Sequence, residues 1–232
     1  MPLFYGKRLN LNQPEKGYRP SIDAILLSAA IHKGKTILDV GCGIGTAGLC
    51  LKVRRPEITL TGIDIQEENI HYAAQNAQQN NMDARFIEGN IKTLRLQETF
   101  DHVISNPPFY EEHKINTPQD PHKLLSNVLQ NITLQEWVNF CIKHSKDYVT
   151  LIHLPDMLPI LLSAFDTLSA IKIFPIWSKG KAERIIIQGK KKSKAPLQLL
   201  QGLTLRATSD DSQETKEAKE IFQNSGALNF GN

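Results

Sequence analysis

Residues Leu38 to Gly48 read LDVGCGIGTAG, a glycine-rich turn set between a strand-like run and a helix-like one. The preceding "TILDV" (36–40) is apolar and β-branched. A glycine loop at such a junction is where an open α/β sheet takes a nucleotide, because glycine lets the backbone approach a ligand and tolerates positive φ. Two registers fit. Gly43, Gly45 and Gly48 spell G-x-G-x-x-G, the dinucleotide fingerprint, in which helix N-terminal amides hold a pyrophosphate. Gly41, Gly43 and Gly45 instead spell Asp-x-Gly-x-Gly-x-Gly, with Asp39 near the strand end.

Electrostatics favours the second register. S-adenosylmethionine brings an α-amino cation, a carboxylate and a sulfonium, and no phosphate. Asp39 suits that cation, directly or through water, and would repel a pyrophosphate. The second register also starts its glycines immediately after the strand. Asp64, closing "TGIDI", suits ribose hydroxyls in either reading and does not discriminate.

The pattern repeats outward from this loop. "ITLTGI" (58–63), "ARFIE" (84–88), "HVIS" (102–105) and "YVTLIHL" (148–154) read as further strands. In "QEENIHYAAQNAQQNN", Ile70, Ala73, Ala74 and Ala77 fall at helical spacing, with Glu67 and Glu68 in a first turn. Strands alternating with helices imply a parallel sheet covered on both faces. "PDMLPILLSAFDTL" predicts a helix begun by Pro155, and "AIKIFPIW" with "AERIIIQG" predicts a closing hairpin through "SKGK". Ahead of the core, "RLNLNQPEKGYRP" suggests a hairpin around Pro14–Gly17, and Ser21 a helix N-cap for "SIDAILLSAAI". "SQETKEAKEIFQNSG" predicts a surface helix stopped by Gly226. A single domain is expected: residues 1–35 an N-terminal hairpin and helix, 36–206 the core, and 207–232 a polar extension.

The fourth strand runs into "SNPPF" (105–109). Two prolines forbid helix and sheet alike, and they present Asn106 and Phe109 rigidly at the carboxyl edge that carries the glycine loop. That arrangement makes sense for methylating a planar amine, whose delocalised lone pair makes it a poor nucleophile. The Asn106 oxygen and the Pro107 carbonyl can accept its two hydrogens and favour a pyramidal nitrogen, while Phe109 stacks on the base.

Composition limits the alternatives. The chain has 232 residues, 41% hydrophobic content and three cysteines without a C-x-x-C pair. No apolar run reaches a membrane span, and the N-terminus lacks a secretory signal, so a cytoplasmic protein is expected. Cys42 reads as a small filler, and the histidines show no metal-ligand spacing, so no metal is expected. The net charge is +3, yet Lys179–Lys194 holds seven basic residues against Glu183 alone. Such a run is the footprint of a nucleic-acid binder as well as of a solvated loop.

"LDVGCGIG", "GIDI", "EGNI" and "SNPPF", in this order and spacing, resemble the motifs of class I amino-methyltransferases over roughly residues 18–190. "GKRLNLNQPEKGYRPSIDAILLSAA" and "AERIIIQGKKKSKAPLQLL" further resemble bacterial tRNA(Val) adenine N6-methyltransferases, which modify the adenosine 3′ of the anticodon. The resemblance implies a Rossmann-like, seven-stranded, mostly parallel sheet with a reversed final hairpin. It implies S-adenosyl-L-methionine as cofactor, held by Asp39, Gly41, Gly43 and Gly45, with Asp64 on the ribose, Ile65 on the adenine and Asn90 beside the adenine amine. Position 90 is Asn where the family often has Asp. Asn106 to Phe109 would grip the target. RNA, most simply tRNA, is the expected partner, held near the catalytic edge by Lys190, Lys191, Lys192 and Lys194; neither a membrane nor an obligate protein partner is indicated. The stretch "PHKLLSNVLQ" (121–130) matches no motif. The competing readings are a glutamine N5-methyltransferase acting on release factors, which usually carries a helical domain that 35 residues cannot form, and a catalytically silent RNA-binding module.

Overall fold

The computed structural model describes residues 3–14, 21–108, 132–206 and 213–231; Phe109 and the stretch 121–130 lie outside them. β1 (Leu3–Phe4) and β2 (Leu9–Asn10) make a small antiparallel ribbon, and α1 (Ile22–Ala29) follows. The alternation then begins: β3 (Thr36–Val40), α2 (Thr46–Arg54), β4 (Thr59–Asp64), α3 (Glu67–Gln79), β5 (Arg85–Glu88) and β6 (Phe100–Ser105). α4 (Leu134–His144) leads directly into β7 (Ser145–His153). A 3₁₀ turn at Pro155–Met157 opens α5 (Leu158–Ala164). The long hairpin of β8 (Ser169–Ser178) and β9 (Lys181–Lys190) comes next, then β10 (Gln198–Leu199), β11 (Leu203–Arg206) and α6 (Lys216–Asn224).

The core strands lie in the order β5-β4-β3-β6-β7-β9-β8, with β9 antiparallel to both neighbours and the other pairings parallel. The sheet of the described residues has nine strands rather than the expected seven, because β10 and β11 both add to β8. Strands of two and four residues are too short for period-2 patterning to announce them.

Both faces are buried, as a parallel sheet requires. Successive strand residues turn to opposite cores. Leu38, Val103, Val149, Ile185 and Ile187 pack with Trp137, Leu161 and Phe165 from α4 and the α5 region. Ile37, Ile104, Ile152 and Ile186 pack with α1 and α2, joined by Ala218, Ile221, Leu228 and Phe230. The chain therefore leaves β3 toward β4 on one side and returns to β6 on the other. The carboxyl ends of β3 and β6 open a crevice at this switch point.

Four expectations are corrected here. Leu9–Asn10 pairs with Leu3–Phe4 across Tyr5–Arg8, so the N-terminal hairpin lies earlier than Pro14–Gly17, whose residues 15–17 fall outside the described ones. Asn10 and Asn12 turn instead to α3, whose Asn80 and Asn76 Oδ1 accept their N–H groups at 3.0 and 2.7 Å. The buried stripe of α3 is Asn69, Ala73, Asn76 and Ala77, not Ile70, Ala73, Ala74 and Ala77, because both asparagines find partners inside. Ser21 occupies the N-cap position of α1 without a side-chain capping bond.

The fourth correction concerns the C-terminus. α6 is capped by Thr215 Oγ1, which accepts from Ala218 N–H, and it ends at Ser225 (φ 61°), with Gly226 N–H returning to Glu220 O. It is a surface helix, as expected, docked on the core through its inner face. Ala218 and Ile221 are buried, Leu228 N–H bonds Ala29 O, and Phe230 stacks on Phe174 at 4.9 Å.

The basic run is divided by β9 itself. Since β9 is antiparallel to β7, Ile185 faces His153 at the carboxyl edge while Lys190 faces Tyr148 at the amino edge. Lys190, Lys191, Lys192 and Lys194 therefore lie on the edge opposite the crevice, not beside it. Lys191 Nζ donates to Ile142 O and Ser145 O, both at 2.6 Å, at the C-terminus of α4. A cation there satisfies carbonyls that the helix end leaves free.

Candidate active site

At the crevice, β3 passes into α2 through Gly41, Gly43 and Gly45, with φ of 71°, 54° and 84°. Gly41 N–H and Cys42 N–H both donate to Ile63 O, tying the loop to the end of β4. A Cβ on Gly41 would stand 2.9 Å from Trp137 Cζ2, so the loop and the indole are in direct contact. Trp137 Nε1 donates to Ser105 Oγ at 2.9 Å, and Ser105 Oγ donates to Val40 O at 2.6 Å. This chain joins the ends of β3 and β6 to α4.

A cavity of about 220 Å³ lies under this frame, lined among others by Gly41, Gly43, Asp64, Ile65, Asn106 and Trp137. Pro107 and Pro108 close one side. Larger hollows of about 480 and 440 Å³ lie by β11 and at the amino ends of β3 and β4. Neither touches the glycine loop or the carboxyl ends of β3, β4 and β6, so the smaller cavity is the candidate site.

Asp64 closes β4 at the cavity. Its Oδ1 accepts from Gln66 N–H and Asn69 Nδ2, and its Oδ2 accepts from Gly43 N–H at 2.9 Å. Burial raises its pKa, and these hydrogen bonds oppose the rise. Asp39 sits behind the loop and outside the lining. Its Oδ2 accepts from Gly48 N–H at 3.1 Å, and burial, with the neighbouring Asp64 charge, pushes its pKa up to about 7. Asp39 therefore caps the first turn of α2 from the preceding strand. A carboxylate bonded into the first turn of α2 disfavours a pyrophosphate at that helix N-terminus, which weighs against the dinucleotide register. Among the described lining residues Asp64 is the one ionisable group, with no Lys, Arg or His beside it, so the pocket suits a cationic ligand better than an anionic one.

Asn106 Oδ1 is buried and has no hydrogen-bond partner among the described residues. An orphaned acceptor in a cavity costs about 1–3 kcal/mol, which a ligand donor would recover. Asn90 lies in the turn between two lining residues, Gly89 and Ile91. Its Oδ1 accepts from Lys92 N–H at 2.9 Å, so the acceptor expected to face an adenine amine is engaged within its own turn. Cys42 is buried, and burial raises its thiol well above the ordinary value, which suits a filler rather than a nucleophile.

Trp137, Gln66 and Asn69 belong to the site, although the sequence marks them only as helix or turn residues. Asn69 had one legible signal: a polar residue five positions after Asp64, on the buried face of a first helical turn.

Sheet order, the reversed β9 and the glycine loop define the class I methyltransferase fold. Residues 22–131 match the family model of the methyltransferase small domain. Its cofactor is S-adenosyl-L-methionine. A tRNA1(Val) (adenine(37)-N6)-methyltransferase from a Flavobacteriaceae bacterium is 32% identical over 115 residues, which is 48% of this chain and 50% of that one. A release factor glutamine methyltransferase from Enterococcus faecalis is 33% identical over 114 residues, 48% of this chain and 41% of that one. The chain thus spans half or less of the length of these two relatives. A solved structure described as a predicted O-methyltransferase from Agrobacterium tumefaciens has a TM-score of 0.68 at 21% identity, over 89% of this chain and 98% of that one, a likeness of fold.

Proposed function

We propose that the protein transfers a methyl group from S-adenosyl-L-methionine to the exocyclic amine of an adenine in RNA, specifically the anticodon-loop adenosine 3′ of the anticodon in tRNA(Val). The observation that carries this reading is the buried, unpartnered Asn106 Oδ1 in the cavity that holds the glycine loop and Asp64. An acceptor held in place by Pro107 and Pro108 suits an amine that must be pyramidalised. The similarity to the flavobacterial tRNA enzyme supports RNA as the substrate class.

The bound cofactor supplies an electrophilic methyl group on a sulfonium. Asp64 bonds the ribose hydroxyls, Ile65 packs on the adenine, and the loop of Gly41, Gly43 and Gly45 admits the methionine part, with Asp39 adding negative charge from behind. Asn106 Oδ1 and the Pro107 carbonyl accept the two amine hydrogens, leaving the nitrogen lone pair directed at the methyl group. An aromatic residue at position 109 is of a type suited to stacking on the target base. No general base is needed before transfer, since the nitrogen loses its proton only after it has become cationic; alignment dominates the rate. In this reading the protein works in the cytoplasm as one catalytic domain. Among the described residues no helix is long and apolar enough to cross a membrane.

Asn106→Ala tests the reading. Methyl transfer is expected to fall by about 10²–10³, by analogy with the loss of one preorganised hydrogen bond at an oxyanion hole, while calorimetry finds cofactor affinity nearly unchanged. Near wild-type turnover in this variant would remove the role assigned to Asn106.

The similarity to the release factor enzyme favours a second reading, transfer to a glutamine amide nitrogen by the same pair of acceptors. Assaying RNA and release factor side by side separates the two.

A further inference from the structure

Two asparagines on one face of α3 pair with the N-terminal segment as a neighbouring strand would. Asn80 Oδ1 accepts the N–H of Asn10 at 3.0 Å, and Asn80 Nδ2 donates to Asn10 O at 2.8 Å. Four residues earlier on the helix, Asn76 Oδ1 accepts the N–H of Asn12 at 2.7 Å, and Asn76 Nδ2 donates to Asn12 O at 3.0 Å. Each side-chain amide thus meets one backbone residue at two points. The spacing fits, because four helical residues rise about 6 Å and two residues of extended chain about 6.6 Å. Gln79 adds a bond to Asn10 O and accepts another from Asn12 Nδ2. The segment lies antiparallel to the helix, so it runs toward the end of α3 that carries Asn69 at the cavity.

Asn76 also reaches the glycine loop. Its Nδ2 donates a second hydrogen to Ile44 O at 3.0 Å, between Gly43 and Gly45. Its Oδ1 takes a further bond from Gln79 Nε2 at 2.8 Å, so this wholly buried amide has both hydrogens and both acceptor positions engaged. Asn69, two turns earlier on the same buried stripe, donates to Asp64 Oδ1, while Gly43 N–H donates to Asp64 Oδ2. Between the two asparagines the loop lies against the helix: a Cβ added at Gly45 would meet Ala73 Cβ at 3.4 Å. One helix face therefore anchors both Asp64 and the loop, and the loop's anchor is shared with the N-terminal segment. If Asn12 withdrew, Asn76 would lose a donor and an acceptor together, and a buried amide left unmet is costly to hold in place.

We infer that Asn76 is a positioning residue for S-adenosylmethionine, coupling the docking of residues 10–12 to the shape of the glycine loop so that each favours the other. The inference rests on the cofactor and not on which amine is methylated. Asn76 does not line the cavity; it acts through Ile44. By linkage, the factor that the docked segment adds to cofactor affinity is the factor that the cofactor adds to docking of the segment.

Asn12→Pro tests this from outside the site, because proline removes the N–H that Asn76 Oδ1 accepts and leaves α3 and the loop unaltered in sequence. Asn12→Ala keeps the backbone N–H and C=O and serves as the control. Calorimetry should show S-adenosylmethionine affinity about ten-fold lower in Asn12→Pro and near wild type in Asn12→Ala. Asn76→Ala should lose about the same factor, and the Asn12→Pro, Asn76→Ala double variant no more, since both break one connection. Hydrogen exchange read by mass spectrometry gives the reciprocal effect: saturating cofactor should slow exchange of residues 10–12 about ten-fold in wild type and not in Asn76→Ala. Wild-type affinity in both Asn12→Pro and Asn76→Ala, or a cofactor effect on exchange that survives in Asn76→Ala, overturns the inference whatever the loss of stability. Should Asn76→Ala not fold, the Asn12→Pro and Asn12→Ala pair decides alone. A wild-type protein that binds no S-adenosylmethionine would overturn the cofactor assignment itself and this inference with it.

Discussion

Asp39→Asn is expected to separate the stability of this fold from its cofactor affinity as pH changes. Asp39 is buried behind the glycine loop, and its pKa is pushed from the ordinary 3.8 to about 7. Because the folded value lies above the unfolded one, the folded protein binds more protons than the unfolded chain between about pH 4 and 7. Stability therefore rises as pH falls through that window and is lost as pH climbs through 7. The contribution is up to about 1.4 kcal/mol per pH unit, some 2–4 kcal/mol in all. Cofactor affinity should move the other way, since a protonated Asp39 offers no negative charge to the methionine cation. Denaturant unfolding and calorimetric titration of both proteins at pH 5 and pH 8 read the two effects. In Asp39→Asn the pH dependence of stability should flatten by the stated amount, and cofactor affinity should sit near the low-pH wild-type level throughout. The slope is the diagnostic quantity, because the buried amide of the variant alters absolute stability at every pH. Parallel wild-type and variant stability curves would refute the assignment of a raised pKa to Asp39.

Two further substitutions probe the frame around the site. Trp137→Phe removes the indole bond to Ser105 Oγ and should cost about 0.5–1.5 kcal/mol in unfolding free energy, while also weakening cofactor binding through the loosened Gly41 contact; calorimetry that finds only the stability loss would make Trp137 a core residue after all. Lys191→Ala removes two bonds to carbonyls at the end of α4 and should lower stability by about 1 kcal/mol, measured by thermal unfolding, with RNA affinity unaltered at every salt concentration.

The glycine loop, Asp64 and Asn106 were legible because each is marked twice, once by residue type and once by its place at the end of a β-branched run. Asp39 was legible as a residue, but its task was not: the hydrogen bond to Gly48 N–H depends on how α2 leaves the strand. Trp137 could not be told from a core aromatic, since an amphipathic helix shows which face is buried and not what that face covers. The basic run misled for a physical reason. Its seven cations are contiguous in sequence, but Lys181 and Lys190 are the two ends of one extended strand, about 30 Å apart, on opposite edges of the sheet. A charge run is one patch only when the chain beneath it is not a strand. The α3 stripe was misread because asparagine counts as polar in any periodicity, although Asn76 Nδ2 is bonded to Ile44 O and to Asn12 O and is wholly buried.

Transfer of a methyl group to an RNA adenine amine can be read directly by isotope labelling. Purified protein is incubated with S-adenosylmethionine carrying a deuterated methyl group, together with unmodified tRNA(Val) transcript and, separately, a release factor; the products are digested and analysed by mass spectrometry. Labelled N6-methyladenosine from the anticodon loop, 3′ of the anticodon, is the expected product, with no label on the release factor. Label on a release factor glutamine with none in the RNA would contradict it.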